Sequence, residues 1–310
     1  MSFNRIPPFL PKYLTGKWHG NNYQIVRELG SGANGTVYLA QTNQGNCVAL
    51  KIGADSLDLF MEVNMLREIK PNGGIRVGPY VIDVDDIIIQ GQTHTFYVME
   101  YVEGERLDHY IAKVGTDWVP VLIIQLLTRL YILHHQGWIF GDLKPENIMV
   151  VHTDKQLRLI DFGGVTKIGN AVRQFTEEYD RAAWLAGDRR ASVTYDLFSL
   201  AVMMVKLMIG REEWKKISFT KHNHQLLCDI IRSNNSLYPY RSVLMRALEG
   251  KYTSVVSMRQ ELVEALQVKT TVPGSTSAPQ QDKDAIGKWI GGIFAASLLL
   301  LAGSLYYLWM

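Results

Sequence analysis

The hydrophobic pattern changes character once along the chain, and this change constrains the fold more than any other feature. From about Asn22 to Val102, short β-branched runs alternate with turns, with one helical segment near Ser56 to Lys70. From about Leu107 onward, long helical patterns dominate. The sequence therefore predicts an α+β protein with a small β-rich part followed by a larger helical part.

Composition and charge narrow the class of protein. With 47% hydrophobic and 20% charged residues, the 310-residue chain can bury a substantial core. Its 32 basic and 30 acidic residues give a formal charge of +2, which provides no general attraction to nucleic acid. Cys47 and Cys228 are far apart and lack metal-ligand spacing, which argues against a disulfide framework and a zinc site. We expect both cysteines to be buried as small hydrophobic residues.

The two ends of the chain differ. Residues 1–21 form an N-terminal extension in which prolines interrupt the apolar run that an export signal needs. Residues 289–310 carry no charged side chain and as a helix would reach about 33 Å, enough to cross a bilayer core. We therefore predict one C-terminal transmembrane helix at residues 287–310. A buried core helix is the alternative interpretation.

Charges before this segment predict its orientation. Lys283 and Lys288 precede the uncharged residues 289–310 and no charge follows them, so the large amino-terminal part is expected to face the cytoplasm, with a short or absent extracellular tail. Residues 268–285 are rich in Thr, Ser, Pro and Gln and are predicted to form a flexible linker. The chain is thus expected to be a single-pass protein of the cell membrane. Gly287 and Gly291, four residues apart, would also permit a homodimer, although this spacing is common by chance.

A glycine-rich loop lies between the first two long strand patterns. Gly30, Gly32 and Gly35 precede Val37 in "ELGSGANGTVYLA", and glycine lets backbone amides approach phosphate oxygens. A dinucleotide-binding turn has the same spacing, but it requires a helix after the last glycine. Here "TVYLAQT" is a strand pattern.

A lysine and a glutamate form the next feature. Lys51 ends the strand "VALK", where its charge could neutralise nucleotide phosphates. Glu62 shares a helix face with Leu66, which is an unusual place for an unpaired carboxylate. An ion pair between Lys51 and Glu62 would explain both residues. The glycine loop, "VALK" and the helix glutamate, in this order, resemble the small lobe of a bacterial eukaryotic-like Ser/Thr protein kinase.

This resemblance implies a bilobal protein kinase fold over residues 22–267, with an N-lobe at 22–100 and a C-lobe at 105–267. The segment "FYVMEYVEG" resembles the hinge, with Met99 as the gatekeeper and with backbone groups of Glu100 to Val102 offered to adenine. The residues that the resemblance assigns to nucleotide binding are Gly30, Gly32, Gly35, Val37, Ala49, Lys51, Met99, Glu100, Val102, Asn147 and Asp161.

The segment "GDLKPEN" resembles a kinase catalytic loop. By this resemblance Asp142 would accept the proton of the attacking hydroxyl, and Lys144 would balance charge on the transferred phosphoryl group. Asn147 and Asp161, the latter in "DFGG", would hold Mg²⁺, or Mn²⁺ in its place, for ATP. The catalytic residues implied are Asp142, Lys144, Lys51, Glu62 and Thr176.

Two further motifs extend the resemblance into the second half of the chain. In "TEEY", Thr176 would bond Asp142 and Lys144, and Glu178 would help to shape the peptide site. The segment "YDLFSLA" resembles the central helix of the large lobe, with Asp196 bonding the backbone of the catalytic loop. Similarity to membrane kinases of spore-forming bacilli implies phosphorylation of Ser and Thr in cytoplasmic proteins and a role in sporulation.

The chain departs from the family pattern at two motifs. Phe140 and Gly141 replace the usual His and Arg, and that arginine pairs with an activation-loop phosphate in many kinases. We therefore predict catalysis that does not require phosphorylation of Thr166 or Thr176. The usual Ala-Pro-Glu appears as "RAA" at residues 181–183, and its late arginine partner is also missing, so the usual anchoring of the activation segment is not expected.

Two other functions remain open on the sequence. A glycine before the catalytic aspartate is common in small-molecule phosphotransferases of the same fold, but Lys144, Pro145 and "TEEY" are protein kinase features. A membrane pseudokinase scaffold is the second alternative. It is disfavoured because the phosphate-binding lysine and both catalytic aspartates are retained.

One basic stretch could contact a further partner. Lys215, Lys216 and Lys221 lie close together and could bind anionic lipid or DNA. A solvated surface loop is the favoured interpretation, since short charge runs usually lie on the surface without a partner.

Overall fold

The computed structural model describes residues 10–32, 34–173, 175–217 and 223–271. Within these ranges a β-rich lobe is followed by a helical lobe, which confirms the predicted α+β architecture. The compact unit Met1–Lys269 contains both lobes. The unit Thr270–Met310 lies almost wholly outside the described residues, and so does the predicted transmembrane helix at 287–310.

The N-lobe is built on a six-stranded antiparallel sheet with the strand order β1-β2-β3-β4-β6-β5. Its strands are β1 (Tyr13–Thr15), β2 (Asn22–Gly32), β3 (Gly35–Thr42), β4 (Cys47–Gly53), β5 (Val81–Ile89) and β6 (Gln92–Glu100). Leu50 and Ile52 of β4 and Phe96 and Val98 of β6 are fully buried in one cluster. Strands β4 and β6 are buried over most of their length, which explains the apolar runs "VAL" in β4 and "FYVM" in β6.

Helix α1 (Ser56–Glu68) packs against this sheet. It begins after Asp55, whose carboxylate accepts the backbone N–H groups of Leu57 and Asp58. Its buried residues include Leu59, Leu66 and the charged Glu62. The helix thus carries Glu62 into the interior of the lobe.

Buried carboxylates connect the two edges of the sheet. Asp85 on β5 accepts the backbone N–H groups of Trp18 and His19 at 2.9 and 2.8 Å, and these two residues lie between β1 and β2. Asp83 accepts the hydroxyl of Tyr23 at 2.7 Å and contacts His19 Nδ1 at 2.7 Å. The sheet therefore begins inside the segment 1–21 that the sequence pattern set apart as an extension.

The C-lobe is mainly helical. Its helices are α2 (Leu107–Val114), α3 (Val119–His135), α4 (Val193–Ile209), α5 (Arg211–Lys215), α6 (His224–Ser233), α7 (Arg241–Leu248) and α8 (Val255–Thr271). Helix α4 is buried on nearly all sides, which explains why its sequence is apolar all round. Within the described ranges one helical stretch, Thr116–His135, is long and apolar enough to cross a membrane, and it is mostly buried as a core helix.

Among the described residues of the C-lobe there are five short strands. They are β7 (Gly104–Arg106), β8 (Trp138–Ile139), β9 (Ile148–Val151), β10 (Leu157–Leu159) and β11 (Thr166–Lys167). They form the small sheets β10-β9-β7 and β11-β8. The catalytic-loop sequence connects β8 to β9, and "DFGG" follows β10, so the two motifs are held side by side.

Two expectations differ from the structure. Cys228 is buried, but Cys47 is exposed, so the prediction of burial was wrong for Cys47. It stands at the first position of β4, directly after a turn, where the chain has not yet entered the core. Helix α8 continues to Thr271, four residues into the segment predicted as linker.

Candidate active site

The predicted ion pair between Lys51 and Glu62 is present. Lys51 Nζ lies 2.7 and 2.9 Å from the two carboxylate oxygens of Glu62, and both side chains are buried. The same Nζ lies 3.4 Å from Asp161 Oδ1. Tyr97 donates its hydroxyl to Glu62 Oε1 at 3.1 Å. One lysine therefore links the β-sheet, helix α1 and the "DFGG" loop.

Electrostatics favour the charged forms of Lys51 and Asp161. Burial disfavours the charged form of Lys51, but the carboxylates of Glu62 and Asp161 outweigh burial and raise the pKa of Lys51. Burial would also raise the pKa of Asp161, yet Lys51 and the backbone N–H of Gly163 hold that pKa below its usual range. The cleft thus offers a positive charge to a polyanionic ligand and a carboxylate to a cation bound with that ligand.

The predicted nucleotide-binding residues of the N-lobe lie on adjacent strands. In the hairpin of β2 and β3, Gly32 pairs with Gly35, and Val37 follows. Gly35 has φ +132°, and a Cβ there would lie 2.1 Å from the carbonyl oxygen of Ile52. This position therefore requires glycine. Ala33, inside the loop, lies outside the described residues.

The hinge residues occupy the end of β6. Met99 is buried and pairs with Ala49 of β4, so both predicted residues face the same region. The backbone N–H of Glu100 donates to the carbonyl of Tyr80, and Arg158 contacts the Glu100 carboxylate at 2.6 Å. The N–H and the side chain of Glu100 are thus already engaged with protein groups, and recognition of adenine by backbone groups of Glu100 to Val102 stays a prediction.

The catalytic-loop residues meet around one carboxylate. Asp142 Oδ1 accepts the hydroxyl of Thr176 at 2.8 Å, and Asp142 Oδ2 accepts from Lys144 Nζ at 2.6 Å. Lys144 Nζ also lies 3.1 Å from Thr176 Oγ1. The structure therefore brings together three predicted catalytic residues that are up to 34 positions apart in sequence.

Asn147 and Asp161 offer oxygen atoms for a divalent cation. Asn147 donates its amide N–H to the backbone carbonyl of Asp142 at 2.9 Å, which leaves the amide oxygen as a ligand. Asp161 uses Oδ1 for Lys51 and Gly163, which leaves Oδ2. An amide and a carboxylate oxygen are the ligand types that hard cations prefer, so these residues fit the metal-binding role predicted for them.

A buried carboxylate holds the catalytic loop in place. Asp196 of α4 accepts the backbone N–H groups of Phe140 and Gly141 at 2.8 and 2.9 Å, as predicted. His134 Nε2 lies 2.7 Å from the same carboxylate, a partner that no sequence motif indicated. Phe140 packs edge-on against Phe162 of "DFGG", with ring centroids 5.7 Å apart. Phe140, which stands in place of the usual histidine, therefore makes an apolar packing contact.

Gly141 replaces the usual arginine and so removes its positive charge, and it also has a steric role. Its φ is +80°, and a Cβ would lie 2.5 Å from the carbonyl oxygen of Gly164. Gly164 in turn has no room for a side chain, since a Cβ there would lie 2.9 Å from Asp142 Cβ. In this backbone the two glycines allow the catalytic loop and the "DFGG" loop to approach each other closely.

We expect Gly141→Ala to destabilise the protein more than Gly45→Ala. Gly45 has φ +81°, but no atom lies within 4 Å of the position that a Cβ would take, so its substitution should cost only ~1–2 kcal/mol for the left-handed backbone. Gly141→Ala adds the clash with Gly164, which should cost about 1–3 kcal/mol more. Urea unfolding of both variants measures the difference. Equal costs would show that the loop accommodates a side chain.

The activation segment uses contacts that replace the missing Ala-Pro-Glu anchor. Glu178 binds Lys206 Nζ at 2.6 Å and the indole N–H of Trp214 at 2.6 Å, so its carboxylate faces the C-lobe helices. Asp180, whose carboxylate is fully buried, forms an ion pair with Arg189. These contacts were not predicted from the sequence, because no motif links residues of this loop to each other.

Two other clusters are engaged with protein groups, and binding of anionic lipid or DNA at the basic patch stays a prediction. His19, Asp83 and Asp85 are close enough to hold a metal, but their carboxylate oxygens already accept protein N–H and O–H donors. Lys215 and Lys216 each pair with a glutamate three residues earlier, which neutralises most of the predicted basic patch. Lys221 lies outside the described residues.

Comparisons with known proteins agree with this geometry. The protein kinase domain family model matches residues 23–267. Serine/threonine-protein kinase YabT of Bacillus subtilis (strain 168) is 43% identical over 256 residues, covering 82% of this chain and 74% of that protein. Serine/threonine-protein kinase pkn2 of Myxococcus xanthus is 29% identical over 273 residues, covering 79% of this chain and 32% of that protein.

A solved structure also shares the fold. The structure of vaccinia related kinase 3 matches with a TM-score of 0.63 at 19% identity, covering 86% of this chain and 95% of that chain. At this identity the match shows the fold alone. The family match over most of the chain and the identity to a bacterial relative show the activity as well: the chain belongs to the protein kinase family and is an ATP-dependent serine/threonine protein kinase.

Proposed function

We propose that this kinase phosphorylates Ser and Thr of cytoplasmic proteins at the cell membrane, and that it needs no phosphate on its activation segment. The observation that carries the second part is how Asp142 is held. Its carboxylate is bonded to Thr176 and Lys144, which are ordinary side chains of the same chain. The loop that orients the catalytic aspartate therefore relies on contacts that do not involve a phosphate.

The threonines of the activation segment support this proposal. The activation segment, taken here from Asp161 to Ala191, contains two threonines and no serine. Thr166 is buried and donates to the carbonyl of Gly164 at 2.9 Å, and Thr176 donates to Asp142 at 2.8 Å. Neither hydroxyl is free to accept a phosphoryl group without opening the segment, and Gly141 provides no cation for one.

The proposed mechanism assigns a task to each group in the cleft. Asp142 accepts a hydrogen bond from the substrate hydroxyl and takes its proton as the phosphoryl group transfers. Lys144, bonded to Asp142 and Thr176, stabilises negative charge beside the acceptor. Mg²⁺, held by Asn147 and Asp161, would supply charge neutralisation on the ATP phosphates. Lys51 would contact the same phosphates while Glu62 fixes its position.

Phosphate independence can be tested directly on the full-length protein. We expect enzyme treated with phosphatase, and shown by mass spectrometry to carry no phosphate, to label a protein substrate at once, without a lag. Thr166→Ala should keep its activity within about fivefold, since one side-chain hydrogen bond contributes ~1 kcal/mol. A lag that shortens with rising enzyme concentration would indicate activation in trans and contradict the proposal.

Membrane attachment rests on the sequence of residues 289–310, which lacks charges over the length of a bilayer crossing. We expect the full chain to remain in the membrane fraction after alkaline carbonate extraction. Leu299→Arg with Leu300→Arg should release it, because each central arginine costs ~2.5–3.5 kcal/mol of insertion free energy. Gln280→Arg with Gln281→Arg, which adds the same charges in the predicted linker, is the control. Recovery of the wild-type chain in the soluble fraction would contradict the proposal.

The cellular role is the least constrained part of the proposal. Similarity to membrane kinases of spore-forming bacilli supports a role in sporulation. Comparing phosphoproteins of cells that carry the wild-type chain with those that carry Asp142→Ala would identify the substrates, and equal spore yields in the two strains would remove sporulation from the proposal.

A further inference from the structure

A buried carboxylate with an arginine partner lies inside the activation segment. Asp180 follows the "TEEY" motif and its side chain is fully buried. Arg189 donates to Oδ2 of Asp180 through Nε at 2.8 Å, and one of its Nη atoms lies 2.7 Å from the same oxygen. The glutamate of the family's Ala-Pro-Glu motif is absent from this chain. The pair of Asp180 and Arg189 provides a buried carboxylate and a cation, and both come from the segment itself.

The remaining donors around Asp180 tie the pair to the large lobe. Tyr195, in the first turn of α4, donates its hydroxyl to Asp180 Oδ1 at 2.8 Å. The backbone N–H groups of Ala182 and Ala183 donate to the two oxygens at 3.3 and 3.2 Å. A buried carboxylate with this many donors is stable only while they stay in place, so the geometry of the segment is fixed around it.

Arg189 also reaches the residue next to the catalytic threonine. Its guanidinium lies 3.9 Å from the ring centroid of Phe175, a cation–π contact. Phe175 immediately precedes Thr176, which bonds Asp142 and Lys144. Arg189 therefore contacts both the buried carboxylate of Asp180 and the ring of Phe175, the residue next to Thr176.

Backbone hydrogen bonds close the segment on itself at the same place. The N–H of Val172 donates to the carbonyl of Arg189 at 2.8 Å, and the N–H of Gly169 donates to Ala191 at 2.9 Å. A second ion pair, Arg181 with Asp188, is nested inside the first. The start and the end of the segment are thus held together, with Arg189 at the junction.

We propose that Arg189, paired with Asp180 and stacked on Phe175, is a positioning residue that holds Thr176 against Asp142 and Lys144 at all times. It performs the ordering task that a phosphate and the missing arginine perform in many kinases. This inference rests on the proposed function, because a permanent clamp is needed only when the segment is not ordered by phosphorylation.

The test compares four full-length, phosphate-free enzymes: wild type, Arg189→Ala, Arg189→Lys and the matched control Arg190→Ala. Arg190 is adjacent and exposed and forms no ion pair with Asp180 among the described residues. For each enzyme, kcat and KM are measured for a serine-containing protein substrate and KM is measured for ATP. Thermal unfolding gives the folded fraction at the assay temperature.

We expect Arg189→Ala to lower kcat/KM for the protein substrate by about tenfold or more, since small misplacements of catalytic groups have effects of this size. KM for ATP should change less than about twofold, because Lys51 and Asp161 lie outside the clamp. Arg189→Lys should recover part of the loss, as it keeps the charge but not the two-pronged contact. Arg190→Ala should match wild type.

Three results would overturn the inference. The first is equal phosphorylation of the protein substrate by Arg189→Ala and Arg190→Ala. The second is a loss of activity in Arg189→Ala that a reduced folded fraction explains fully. A parallel rise in KM for ATP would show a general disturbance of the cleft rather than misplacement of Thr176. Inactivity of the phosphate-free wild type is a different outcome, which would overturn the proposed phosphate independence together with the clamp.

Discussion

Replacing Asp142 by asparagine should lower kcat for protein phosphorylation by a factor of about 10²–10⁴, the contribution typical of a positioned general base. The amide has nearly the same shape but carries no negative charge. Asp142 now accepts hydrogen bonds from Thr176 at 2.8 Å and from Lys144 at 2.6 Å, and the NH₂ group of asparagine would face one of these donors. Proton acceptance and loop order would both suffer. KM for ATP should change little, because Lys51 and Asp161 are untouched.

The measurement is transfer of radiolabel from ATP to a serine-containing protein, with kcat and both KM values determined. Asp154→Asn is a matched control, since Asp154 is an exposed turn residue whose carboxylate accepts a backbone N–H from Gln156 at 2.9 Å. It should retain wild-type kcat. If Asp142→Asn kept more than about a tenth of wild-type kcat, Asp142 would not be the base that the mechanism requires.

Replacing Lys51 by methionine should destabilise the protein by about 3–5 kcal/mol, because it leaves the buried Glu62 carboxylate without its cation. Adding Glu62→Gln should restore most of that stability. The neutral amide no longer needs a cation, and its oxygen can still accept the Tyr97 hydroxyl. Catalysis should be lost in both the single and the double variant, since neither offers a positive charge to the ATP phosphates.

Denaturant unfolding and phosphotransfer assays on the two variants separate the roles of the pair. Glu62→Gln alone is the third arm, and it should reduce activity less than Lys51→Met because Lys51 keeps its contact with Asp161 at 3.4 Å. A double variant as unstable as Lys51→Met would show that the ion pair is not the source of the loss. Restored activity in the double variant would remove Lys51 from the catalytic set.

The order of elements and much of the site could be predicted from the sequence. Strand and helix patterns are local, and they place α1, the glycine hairpin and the helical lobe close to where the structure has them. The kinase motifs then identified four residues that form two hydrogen-bonded pairs in the structure. The pairs are Lys51 with Glu62 and Asn147 with Asp142. The position of residues 287–310 stays a prediction, because they lie outside the described residues.

Other features depended on side chains that meet only after folding. The sequence indicated that Gly141 removes a cation, but its φ of +80° and the contact with Gly164 follow from the approach of two loops. Cys47 could not be placed by its residue type, since burial depends on where the strand enters the core. His134 was missed because it belongs to no motif that indicates a contact with Asp196.

The sequence by itself determined the lobes and the chemistry of the cleft, because periodicity and motif spacing are properties of neighbouring residues. Only the tertiary structure decided how the activation segment is held. Asp180 and Arg189 belong to no recognisable motif, and the motif that contains Tyr195 did not indicate its contact with Asp180. Their hydrogen bonds exist because the segment folds back on α4 and excludes water from one carboxylate. The favourable pairing of a buried charge is a property of the assembled site, which no local pattern contains.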